Sequence, residues 1–173
     1  MSERIRIVLL ATFAAIGYGI MHDQVTARIC VEYFTIGHPP LFPTSSPTLL
    51  ALGWGVVATW WVGLPLGLIL SVAARQGGRP KLTAAELRRP IGMLLLGMGA
   101  CAAIAGVVGG LLAVAGKVWL TPPMSVMVPS DRHVRFLIDL WMHSASYASG
   151  VLGGLALAVW TWRQRARVGV ATH

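Results

Sequence analysis

Charged side chains are scarce in this chain of 173 residues. Asp, Glu, Lys and Arg together make up 12% of it, while hydrophobic residues make up 55%. Soluble globular domains carry roughly 25% charged residues. The shortage therefore excludes an ordinary water-soluble domain and indicates an integral membrane protein.

Cysteine is also rare, and this limits the redox chemistry that the chain can perform. The sequence has two cysteines, Cys30 in a predicted loop and Cys101 inside a predicted span, and no C-x-x-C motif. A bridge between them is not expected. The chain therefore does not look like the disulfide-generating four-helix membrane oxidoreductases, which need paired cysteines.

Charges are absent from two long segments, 48–74 and 90–116. A proton pathway through a membrane protein needs ionisable groups near the middle of its helices. These two segments offer none, so any chemistry is expected at a membrane surface.

Four apolar stretches reach the length of about 17 to 25 residues that a helix needs to cross a bilayer. They run over about 5–21, 48–73, 90–120 and 136–162. They predict an all-α membrane protein, 1–173, whose single domain is a bundle of four transmembrane helices. We interpret the first stretch as a span rather than a cleaved signal peptide, because Met21-His22-Asp23 lacks the small residues of a cleavage site.

The distribution of basic residues predicts the orientation of the bundle. Ten of the fourteen Lys and Arg residues lie in the N-terminus, in loop 74–89 or in the tail after 162. The positive-inside rule places both termini and loop 74–89 in the cytoplasm, and loops 22–47 and 121–135 outside. The net charge of +8 is thus a topology signal with the lipid bilayer as partner, and predicts no nucleic-acid partner.

Acidic side chains and histidines concentrate on the predicted outer side. The acids there are Asp23, Glu32, Asp131 and Asp139, and the histidines are His22, His38, His133 and His143. Prolines after Gly37 prevent a continuous helix in loop 22–47, which is expected to form a structured outer cap between helices 1 and 2. The predicted metal ligands are His22, Glu32, His38, Asp139 and His143, with Asp23 and Tyr147 as candidates for acid/base or supporting roles.

The hypothesis of a metal site depends most on Asp139 and His143, because these two residues lie at the start of a predicted span. Residues four apart share one face of a helix, so both side chains point the same way and could ligate one metal. His22-Asp23 ends the first span at the same predicted depth. The alternative is structural: Asp139 could pair with Arg132 or Arg135 near a helix N-terminus.

The ligand types leave several cofactors open. Histidine with carboxylate suits zinc, iron or manganese, and copper would be helped by Met124 and Met127. Haem, with His143 and either His22 or His38 as axial ligands, is the second choice.

Several of these segments resemble a group of small, uncharacterised bacterial inner-membrane proteins. The resemblance lies in His22-Asp-Gln-Val-Thr, Glu32-Tyr-Phe-Thr, His38-Pro and Asp139-Leu-Trp-Met-His143-Ser-Ala-Ser-Tyr147. It implies a bacterial protein of four spans in the inner membrane and no particular activity.

Three classes of function fit these observations. The first is a metal site, with or without catalysis, at the periplasmic membrane interface. The second is a non-catalytic accessory or assembly subunit of a larger membrane complex, and the third is a small-solute transporter. Ser146, Gly150 and Gly154 recur every four residues, a spacing that allows close helix packing within the chain or in a homodimer.

Overall fold

A computed structural model describes residues 1–170, and within that range the chain is helical and has no strand. The helices are α1 (Glu3–Ile29), α2 (Val31–Thr35), α3 (Pro47–Val57), α4 (Trp60–Arg75), α5 (Ala84–Val114), α6 (Met124–Met127) and α7 (His133–Val170). A 3-10 turn, Ser130–Arg132, precedes α7. The all-α prediction is confirmed.

Three segments are long and apolar enough to cross a membrane. They are Glu3–Ile29, Pro47–Arg75, which contains α3 and α4, and Ala84–Val114, with mean hydropathies of 1.6, 1.9 and 2.3. These segments support the membrane assignment made from composition.

Local signals in the sequence explain where α5 begins and ends. The sequence Thr83-Ala-Ala-Glu86 is typical of a capping box, and the structure has one: the Thr83 side chain accepts from the Glu86 N–H while the Glu86 carboxylate accepts from the Thr83 N–H. The helix ends at Val114, earlier than the predicted 120, because Gly116 adopts a φ of +66°. Its neighbour Lys117 then donates its N–H to the Leu112 carbonyl, as in a glycine-terminated helix.

The long helices alternate in direction. Gln24 near the end of α1 donates to the Thr48 carbonyl, while Arg4 near its start donates to Gln76, so α1 lies antiparallel to α3 and α4. In the same way, Gly110 late in α5 lies against Ile138 early in α7. We call the two ends of the bundle the His22 end and the Arg165 end.

Glycines allow α7 to approach its neighbours closely. A Cβ atom added at Gly154 would lie 2.9 Å from Leu66 Cδ1 in α4. One added at Gly106 of α5 would lie 2.6 Å from Met142 Cγ of α7. The small-residue spacing therefore serves packing within the chain.

A break at Ala58 and Thr59 separates α3 from α4. The sequence predicts a mild kink around Pro65, but α4 continues through Pro65 and the interruption comes one to two turns earlier. Thr59 turns its hydroxyl back to the Gly55 carbonyl, a local bond that competes with regular helix geometry. The break lies beside α7, where Tyr147 contacts it.

Arg165 of α7 closes the Arg165 end. Its guanidinium is buried and donates to four backbone carbonyls at 2.5 to 3.0 Å, those of Ala73, Gln76, Arg79 and Pro80. The group satisfies carbonyls at the end of α4 that have no helical partner. It thereby connects α7 to the loop between α4 and α5.

Replacing Arg165 by methionine should destabilise the protein. Removal of the charged donor leaves buried carbonyls without partners, and we expect the free energy of unfolding to fall by about 3 kcal/mol. Thermal unfolding of the purified protein, followed by circular dichroism in detergent, measures the loss. The same change at exposed Arg163 is the matched control, and equal losses in the two variants would contradict the role given to Arg165.

Candidate functional site

Two helices bring three potential metal ligands together at the His22 end. α1 supplies His22 and Asp23, and α7 supplies His143. One ligand atom from each lies within 4.8 Å of the others. Asp23 and His143 are 5% and 8% exposed, so the group is enclosed by protein.

The hydrogen bonds of His143 define the chemistry of its ring. Its Nδ1 lies 2.8 Å from the Asp139 carbonyl, which can only accept, so Nδ1 carries a proton. In the neutral ring, Nε2 is then an acceptor, and it lies 3.3 Å from Asp23 Oδ1, a second acceptor. Two acceptors at this distance need a proton or a cation between them.

Nearby polar atoms are left without partners. Within the described part of the chain, His22 Nε2 and both carboxylate oxygens of Asp139 are buried and form no hydrogen bond. The Cys30 N–H faces Asp139 but donates to the Thr26 carbonyl at 3.0 Å. Buried polar groups are costly when they are unpaired, so these atoms mark a place where a further partner would be stabilising.

Aromatic rings surround the cluster on several sides. Tyr33 stacks on His143, with 4.4 Å between ring centroids, and His22 meets His143 edge to face at 4.6 Å. Tyr18 stacks on the other side of His22 at 5.7 Å. The rings limit access of water and hold both imidazoles in position.

Glu32, a predicted ligand, is not part of this group. Its Oε2 accepts from the Cys30 thiol at 3.3 Å, and its Oε1 lies 3.5 Å from Arg132 Nε. Arg132 also contacts Asp131. The predicted alternative pairing of Asp139 with Arg132 or Arg135 is absent among the residues that the structure describes.

His38, another predicted ligand, lies next to the group rather than in it. Its Nδ1 is 2.8 Å from the Tyr33 carbonyl, and its ring packs on Trp54 with 4.5 Å between centroids. His38 and His143 both line the same cavity. Asp139 lies one turn before His143 and contributes through its carbonyl.

Tyr147, the predicted acid/base candidate, has a structural bond. Its hydroxyl donates to the Ala58 carbonyl at 3.0 Å, at the break between α3 and α4. Ser146 instead shares a hydrogen bond of 2.7 Å with Tyr18. Sequence reasoning missed Tyr18 and Tyr33, although the spacing of Tyr18 four residues before His22 could have indicated that they share a helix face.

A cavity of about 130 Å³ adjoins the cluster. The polar residues of its lining lie in the half nearer the His22 end and include His22, Asp23, His143, Tyr18, Ser146, Tyr147 and Thr59. Toward the Arg165 end its walls are formed by alanine, glycine, leucine and isoleucine residues of the long helices. The site is therefore the polar mouth of an otherwise apolar space.

Burial also affects the loop that covers the cluster. Burial, followed by the hydrogen bond to Glu32, raises the pKa of the Cys30 thiol to about 12, so this thiol stays protonated and unreactive. Burial lowers the pKa of His38, although its bond to the Tyr33 carbonyl opposes the shift. The neutral form of His38 is thus the form that the folded protein favours.

The lowered pKa of His38 predicts a pH-dependent stability. The ordinary pKa of the histidine ring is 6.5. Above that pH the ring is neutral in both the folded and the unfolded chain, so His38 causes no loss of stability. Below it the unfolded chain binds the proton more readily and stability falls. Detergent unfolding across this range should show a steeper decline for the wild type than for His38→Gln, and parallel curves would contradict the prediction.

Comparison with protein families, curated proteins and solved structures gives no match for this chain. The function is therefore inferred from the geometry of its own side chains. Of the predicted ligands, His22 and His143 lie within one group, and Asp23, predicted in a supporting role, completes it.

Proposed function

We propose that the protein is a bacterial inner-membrane protein that binds a divalent transition metal at its outward face. The ligands are His22, Asp23 and His143. The observation that carries the proposal is the approach of their three ligand atoms to within 4.8 Å of one another, from positions 120 residues apart in the chain.

The spacing of the ligand atoms is compatible with a shared metal ion. Ligands bound at about 2.0 to 2.1 Å to a tetrahedral ion lie about 3.3 Å from each other. The distance between His143 Nε2 and Asp23 Oδ1 is 3.3 Å. The unpaired Nε2 of His22 would provide the third bond after a small movement of its ring.

Two imidazoles and one carboxylate favour zinc, iron or manganese. Copper receives less support, since Met124 packs into the apolar core and Met127 is exposed. Haem fits poorly between His22 and His143, whose ring centroids are only 4.6 Å apart. A single ion fits this space.

Three protein ligands leave at least one coordination position for water or substrate. This arrangement characterises catalytic rather than structural zinc sites. A metal ion can activate the bound water as a nucleophile. Tyr147 is a weaker acid/base candidate because its hydroxyl is already bonded to the Ala58 carbonyl.

The topology proposed for this function has four spans. α7 would cross the bilayer as the fourth, with Trp141 and Trp160 near the two interfaces. The alternating directions of α1, the α3–α4 segment, α5 and α7 support both termini on one side. The Arg165 end carries basic residues such as Arg75, which supports placing this end, with both termini, in the cytoplasm.

Elemental analysis tests the metal. The purified protein should contain about one zinc, iron, manganese or copper ion per chain, and His22→Ala or His143→Ala should reduce the content at least tenfold, since even outer partners of a metal site change affinity about 10 to 100-fold.

His133→Ala and Glu32→Gln are the matched controls, because both residues lie at the His22 end but outside the group. Both variants should keep the metal. A wild-type protein that binds none of these ions after incubation with them would end the proposal.

Cysteine labelling tests the topology. In a chain carrying Cys30→Ala and Cys101→Ala, an impermeant maleimide should label Pro40→Cys in intact spheroplasts. Gly78→Cys should react only after permeabilisation. Both positions are exposed, so the reverse pattern would place the proposed site on the cytoplasmic side.

A further inference from the structure

The cavity beneath the metal cluster has a long apolar part that metal binding does not require. It extends along α7 from His143 to Leu157, which at 1.5 Å per residue is about 21 Å. One leaflet of a bilayer contributes about 15 Å of hydrocarbon, half of the full thickness. The cavity is therefore as deep as a lipid chain is long.

The width of the cavity limits its occupant. The centre of a water-sized sphere can move through about 130 Å³ of this space, and spread over that depth this is a channel only slightly wider than one unbranched hydrocarbon chain. Small residues make the space: Ala11, Ala14 and Ala15 of α1 line one side, and Gly63 of α4 lies beside them. Larger side chains at these positions would fill it.

The chemistry of the walls changes along this depth. Leu66, Leu94 and Leu157 line the inner part and offer no polar group to a sugar, peptide or hydrated ion. At the His22 end, the buried Nε2 of His22 has no hydrogen-bond partner. A ligand that matches both parts has a polar end and a single hydrocarbon chain.

We propose that the cavity binds a single-chain amphiphile, with its chain between α1, α4, α5 and α7 and its oxygen-bearing head group at His22, Asp23 and His143. The position of the head group rests on the proposed function, since a carboxylate-like oxygen would occupy the open coordination position of the metal. The chain depends only on the cavity. An outer-leaflet lipid already has this orientation, with its head at the surface and its chain toward the midplane.

Binding of fatty acids tests the proposal. The probes are octanoate, decanoate, dodecanoate and tetradecanoate, titrated calorimetrically into the full-length protein in a bile-salt-derived detergent, whose rigid rings cannot enter a single-chain cavity. Each added CH₂ should tighten binding about fourfold until the cavity is full. No measurable binding, or affinity independent of chain length, would overturn the proposal.

Variants of the cavity distinguish fatty acid bound in the cavity from fatty acid that partitions into detergent micelles. Ala14→Phe places a ring in the cavity and should weaken dodecanoate binding at least tenfold, whereas Ala103→Phe, at an exposed position of α5, should not. Leu94→Trp blocks the opposite wall and provides a second test if Ala14→Phe does not fold. Equal affinities for the wild type and a folded blocking variant would refute a chain in this cavity.

The titrations are made with zinc-loaded and chelator-treated protein, so that the two proposals can fail separately. Stronger binding with zinc, lost in His143→Ala, supports both. If affinity depends on chain length, is reduced by Ala14→Phe and is unchanged by zinc, the cavity binds the hydrocarbon chain but the metal does not bind the head group. If zinc binds stoichiometrically but the affinity for fatty acids does not depend on chain length, the metal site stands and the amphiphile proposal is wrong.

Discussion

The contact between Asp23 of α1 and His143 of α7 is the constraint on which the His22 end depends. Both side chains are buried in an apolar bundle, where an unpaired charge is far more costly than in water. Each group can be there only because the other helix supplies its partner. This requirement brings α1 and α7 together, although the chain between them includes two further long helical segments.

The two ends of the bundle meet the same requirement in different ways. At the Arg165 end, one guanidinium donates to four carbonyls, although the hydroxyl of Thr161, one turn before Arg165, is buried without a partner. At the His22 end, His22 Nε2 and the Asp139 carboxylate have no partners among the described atoms. Hydrogen bonds such as those of Arg165 stabilise the fold, whereas an unpaired imidazole and carboxylate are groups that a metal ion can bind. This difference is why we assign function to one end and structure to the other.

Helical periodicity allowed part of the site to be predicted. Asp139 and His143 share a face because they are four residues apart, and that face meets α1 as expected. Periodicity could not identify the true neighbours of His143, since spacing along one helix contains no information on the rotation of another. Glu32 was therefore predicted as a ligand, but in the structure it contacts Cys30 and Arg132. Asp23, predicted in a supporting role, is the carboxylate that contacts His143.

The sequence by itself determined that the chain is helical, that it has membrane-length apolar segments and that most of its acids and histidines gather near one end. These properties follow from composition and from local rules of spacing and capping, which need no knowledge of packing. Only the tertiary structure decided which groups meet, because convergence depends on contacts between helices that are distant in the chain. It also decided that an apolar cavity lies beneath the polar cluster, since such a space depends on how small residues from several helices come together.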